Sequence, residues 1–196
     1  MGHEVDRILD QLERAFRREA WHGPAVQEAL EGIDNRAAAA RPLQGAHTIW
    51  ELTLHIAYWK EIVRSRLAGE RPETDESLNF PDVKDTSAAA WQRVQADLEA
   101  THQALQAEIQ RLNDEDLDTP APGGTLSRYV MVHGVVQHDL YHAGQIAILK
   151  KPQKPAKKPA VKTPAKKKPP VKKPARKPAR AASRSKARSA NAKRRR

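Results

Sequence analysis

Apolar residues recur along the first 150 positions at helical spacing, and nowhere at the alternating spacing of a strand. From Glu4 to Glu19 they are Val5, Ile8, Leu9, Leu12, Ala15 and Phe16, a single helical stripe broken by Trp21, Gly23 and Pro24. A short helix is predicted over residues 25–30, followed by a loop holding Gly32, Pro42 and Gly45. A second long helix opens at Thr48, where Glu51 three residues on completes a capping box. It runs through Ile49, Leu52, Ile56, Trp59 and Val63 to about Ala68, and Gly69 ends it. Residues 70–86, with two prolines and scattered acids, read as loop. Thr86 or Ser87 then caps a third helix with the stripe Trp91, Val94, Leu98, Leu105, Ile109 and Leu112. After a turn-rich break at 118–124, a fourth helix starts at Thr125 and reaches about Lys150. Four long amphipathic helices without a strand predict an all-α fold, a four-helix bundle over residues 1–150.

Beyond position 150 the pattern stops. Lys-Pro-Ala recurs at 154–156, 158–160, 173–175 and 177–179, and no aromatic residue follows Tyr141. Proline this frequent prevents helix, and there is nothing to bury, so residues 151–196 read as a disordered tail.

Charge sharpens the division. Twenty of the 35 Lys and Arg lie in residues 151–196, which contain no acid. The remaining fifteen face all 24 Asp and Glu, so residues 1–150 carry −9 and the tail +20. A polycation without aromatic side chains suits phosphate backbones rather than bases, which predicts non-specific binding of DNA or RNA. An anionic membrane surface, the chain's own acidic domain, or no partner at all are the alternatives. The N-terminus lacks the apolar core of a secretory signal, and no stretch matches a membrane span. The chain therefore reads as soluble and cytoplasmic, and as nucleoid-associated if the tail holds DNA.

With no cysteine in the chain, any metal must sit on nitrogen or oxygen. His138 and His142 stand four apart on the fourth helix and so share a face, with Tyr141 and Gln145 close by. His55 lies among apolar residues of the second helix, where an imidazole needs a partner or an ion. Three imidazoles without a fourth protein ligand leave a coordination position open, the pattern of a catalytic ion. Imidazole suits a divalent transition metal, Zn or Ni foremost, with Fe also admitted. The alternative is that each histidine is an ordinary core or surface residue. His47, His102 and His133 have no such geometry and are read as structural. Glu51, one turn before His55, is a candidate to accept that ring's outer N–H, or else only completes the capping box. Tyr141 and Gln145 either contact substrate or pack.

The segments WHGPAVQEAL (21–30), HTIWELTLHIAYWK (47–60) and HGVVQHDLYHAGQIAILK (133–150) resemble the DinB-like superfamily of four-helix metalloenzymes. The resemblance covers nearly all of residues 1–150 and none of the tail. It implies a metal triad of one histidine on the second helix and an H-x3-H pair on the fourth, which here are His55, His138 and His142. It also implies chemistry of the kind known in the family, where characterised members include transferases and an isomerase that use low-molecular-weight thiols such as bacillithiol or mycothiol. Two functions of different class follow. In one the bundle is a metal-dependent transferase or hydrolase that the tail localises on nucleic acid. In the other the tail is the functional part, and the bundle is a structural module or the core of a homodimer.

Overall fold

A computed structural model of the chain describes residues 4–122 and 124–151. The predicted tail, from residue 152 on, lies outside the described residues.

Four long helices carry the fold: α1 (Glu4–Phe16), α4 (Ile49–Leu67), α6 (Ala88–Ile109) and α8 (Arg128–Leu149). Four short ones lie between them: α2 (Val26–Leu30), α3 (Asn35–Ala39), α5 (Glu76–Asn79) and α7 (Asp114–Leu117). Among the described residues the only β-type pairing is an isolated bridge between Pro120 and Ser127. α4 packs between α6 and α8, and α1 closes the bundle against α8 and α6.

The ends of α4 follow the expected signals. The Thr48 hydroxyl accepts from Glu51 N and the Glu51 carboxylate accepts from Thr48 N, satisfying two otherwise unpaired donors. At the other end Gly69 takes φ +89°, which lets Glu70 N reach Ser65 O and Gly69 N reach Arg66 O. Elsewhere the structure departs from the expected boundaries. α8 begins at Arg128 under a Ser127 cap, because Thr125 and Leu126 lie in a bend and Ser127 is extended and bridged to Pro120. α3 and α5 fall in stretches that read as loop, and α7 lies between the end of the third stripe and the turn-rich break, since four or five residues are too few to display a stripe. Their starts are nonetheless marked by Asp34, Asp75 and Asn113, each accepting a backbone N–H.

The apolar interior comes in two clusters. One gathers Phe16, Val26, Trp50, Ile56, Trp91, Leu98 and Ile146. The other gathers Ile8, Leu12, Val63, Leu105, Ile109, Val132 and Val135. Where they meet, each long helix contributes one polar residue: Glu13, Lys60, His102 and Asp139. Lys60, His102 and Asp139 are fully buried. The Lys60 ammonium donates to Asp139 Oδ2 at 2.5 Å and sits 3.4 Å from His102 Nδ1, while His102 Nε2 reaches Glu13 Oε2 at 3.2 Å. This layer of charge crosses the waist of the bundle.

Candidate metal centre

The site is built on α4 and α8. His55 projects from the core stripe of α4 and is buried; His142 is buried on α8, and His138, one turn before it, is half-buried. Their Nε2 atoms face one another: His138 Nε2 lies 3.0 Å from His55 Nε2 and 3.0 Å from His142 Nε2. One ligand atom from each ring falls within 4.8 Å of the others.

The outer nitrogens fix what those inner ones can do. His55 Nδ1 lies 3.1 Å from the Asn79 carbonyl, which can only accept, so that nitrogen carries the proton. His142 Nδ1 likewise donates to Gln145 Oε1 at 2.7 Å. Both rings, when neutral, therefore present Nε2 lone pairs to the centre. His138 Nε2 can donate to one of them and not to both, and its Nδ1 is buried without a partner. At least one of the two 3.0 Å contacts thus has no proton between its nitrogens. A divalent ion would accept all three lone pairs at once, and the separations approach the roughly 3.3 Å edge of a tetrahedron with ~2.0–2.1 Å Zn–N bonds. The residues present fit the ion.

Electrostatics points the same way. Burial pushes the pKa of all three imidazoles down, that of His138 to about 3, where the neighbouring His142 and His55 add to the effect. At neutral pH the rings are neutral, the form that ligates.

An aromatic wall backs the site. Phe80, just after α5, stacks on His55 at 4.1 Å, and His47 stacks on Phe80 at 3.7 Å. Asn79 pins this segment twice, through its carbonyl on His55 and through Oδ1, which accepts from Trp59 Nε1 at 3.0 Å. The Tyr58 hydroxyl accepts from Asp75 N at 2.9 Å.

Of the other residues singled out in the sequence, Gln145 meets His142 directly. The exposed Tyr141 lies edge-on to His142 at 4.9 Å. Glu51 is not the group that orients His55: its carboxylate closes the capping box, pairs with Arg41 at 2.6 Å and lies 3.4 Å from His47 Nδ1. Both nitrogens of His55 are engaged elsewhere. Asn79 has no mark in the sequence pattern, since a main-chain carbonyl has no side-chain signature.

A family model for the DinB superfamily matches residues 20–146. The chain belongs to the DinB superfamily. Its members are metal-binding proteins, and the histidine cluster lies within the matched region. The crystal structure of a conserved protein from Enterococcus faecalis superposes on this DinB chain with TM-score 0.58. Identity is 16 %, over 76 % of this chain and 96 % of that one, which shows a shared fold. No curated protein matches the sequence.

Proposed function

We propose that this DinB-superfamily chain is a metal-dependent transferase or hydrolase whose ion, Zn or Ni foremost, is held by His55, His138 and His142. The observation that carries it is the convergence of three Nε2 atoms, two with lone pairs fixed by Asn79 and Gln145. A bound divalent ion would supply a Lewis acid able to lower the pKa of a water or thiol joining it. The protein's own part is to keep the imidazoles neutral by burial, to hold two of them in one tautomer, and to wall off water with Phe80 and Trp59. Tyr141 stands where it could touch a substrate approaching His142. A low-molecular-weight thiol is the cosubstrate to try first.

Elemental analysis of the purified full chain tests the centre. One transition ion per chain is expected, with most of it lost on replacing His55, His138 or His142 by Ala and none on replacing His133. A wild-type protein that takes up no ion on reconstitution at neutral pH would sink this reading.

The twenty Lys and Arg of residues 151–196 favour a second role, holding DNA or RNA without sequence preference. Engaging about eight phosphates would give a log–log salt slope near −7 on duplex DNA. Residues 1–150, being acidic, should not bind; equal binding by that fragment and the full chain would overturn the role.

A further inference from the structure

Between Arg128 and Lys150 the only formally charged residue is Asp139, and it is fully buried. Along one stripe α8 turns outward Val130, Gly134, Gln137, Tyr141, Gly144 and Ile148, all exposed, with the exposed Tyr129 beside its start. Steps of four, three, four, three and four separate them, so they line one face of the helix. Val130, Tyr141 and Ile148 leave 48 %, 64 % and 55 % of their surfaces in solvent. α1, by contrast, exposes Asp6, Arg7, Asp10 and Arg14.

The two glycines serve nothing inside the molecule. Glycine within a helix costs about 1 kcal/mol relative to alanine, yet a Cβ at Gly134 or Gly144 would meet nothing within 4 Å. A close approach at either glycine is open only to something outside the described fold.

The order of the six residues says what that is. Reversed about position 139, the stripe sets Val130 against Ile148, Gly134 against Gly144, and Gln137 against Tyr141. Branched aliphatic meets branched aliphatic, glycine meets glycine, and amide meets phenol. A two-fold interface requires this self-complementarity, because residue i must meet j while j meets i. Charge selects the same occupant. Residues 1–150 carry −9, so two copies repel over most of their surface, and the α8 face is where they can meet without opposing charges.

We propose that α8 is a homodimer seam, two copies packing antiparallel through these six residues, with Gly134 of each over Gly144 of the partner subunit. The seam runs past Tyr141 and so borders the histidine cluster, but it does not depend on a metal being there. Antiparallel packing also sets the two Lys151 residues at opposite ends of a helix about 33 Å long.

The absence of cysteine from the chain makes the register directly testable. Positions 134 and 144 lie about 15 Å apart on one helix, too far for an internal disulfide. In the full chain at high salt, the double variant Gly134→Cys/Gly144→Cys should oxidise to a covalent dimer. Gly134→Cys or Gly144→Cys alone should not. By sedimentation the wild type should be a dimer at the concentrations used for trapping, and Gly144→Arg a monomer with undiminished helix content, since arginine is the better helix former. Single-cysteine variants that crosslink as well as the double variant would overturn the antiparallel register. A monomeric wild type, or a dimer that Gly144→Arg leaves intact, would overturn the seam.

Discussion

Helices α4 and α8 bury two polar clusters within a turn or two of each other, and the two are opposite in kind. At the waist of the bundle, Lys60 and Asp139 bring unlike charges together at 2.5 Å, and His102 links them to Glu13 near the surface. In the histidine cluster, like meets like, with nitrogen lone pairs aimed at one another and at least one contact without a proton. The first arrangement pairs its charges as the chain folds, leaving Asp139 Oδ1 without a partner; the second is one that an ion would complete. A folded core tolerates buried polar atoms on either basis, but only the second leaves chemistry to be done. Position along the helices separates the roles: Lys60 and Asp139 sit between the two apolar clusters, while the triad faces the aromatic wall of Phe80 and Trp59.

If the waist is structural, breaking it should have the largest effect. Lys60→Met or Asp139→Leu alone leaves a buried charge unpaired and should cost about 3–5 kcal/mol. The double variant should recover much of that loss, because neither charge then remains. Urea denaturation of the full chain reads all three. Equal, additive losses would mean that packing rather than pairing holds the waist.

The triad should behave in the reverse way. Removing the ion should leave the fold cooperative, since the apolar clusters are built without it. Free metal at a hundred times its Kd should raise stability by about 2.7 kcal/mol, and His55→Ala should abolish that increment. Unfolding on chelation would make the ion structural and erase the distinction between the clusters.

The two clusters also differ in how far the sequence betrays them. His138 and His142 are visible because a four-residue step puts both on one face, and His55 because it interrupts an apolar stretch. The waist leaves a subtler trace. Lys60 continues the stripe of Ile56 and Val63, His102 that of Leu98 and Leu105, and Asp139 that of Val135 and Ala143, so each is a charged or polar residue at a core position. Counting only apolar residues skips those positions. Asn79 could not be found at all, because it acts on His55 through its backbone and its place is set by how α5 folds over α4.

Acid should distinguish the clusters further. Burial lowers the pKa of His102 to about 2, and Lys60 and Arg17 add to the effect. Lys60 and Glu13 are the charged groups in direct contact with its ring. The unfolded chain takes up this proton near pH 6.5 and the folded chain does not. The contribution is therefore fully present above about pH 6.5 and is lost as pH falls from there toward 2. Between pH 7 and 4.5 the wild type should lose up to about 2.5 kcal/mol more than His102→Phe, which cannot titrate. Identical pH slopes in urea denaturation would show that His102 is not held neutral.

The smallest effect tests where the histidine cluster ends. Glu51 lies one turn from His55 yet is spent on the start of α4: burial alone would raise its pKa, but Thr48 N and the Arg41 guanidinium hold it below the ordinary carboxylate value. Glu51→Ala removes the capping-box acceptor and should cost about 1 kcal/mol. Glu51→Gln, which can still accept from Thr48 N, should cost less. Because the folded pKa is depressed, the charge-dependent part of that cost should be present above about pH 4.5 and vanish as pH falls through the lowered value. Neither variant should change metal stoichiometry, since Asn79 already accepts the outer N–H of His55. Loss of metal in Glu51→Ala at unchanged stability would instead place Glu51 among the groups that orient the triad, and the boundary between helix start and metal centre would have to move by a turn.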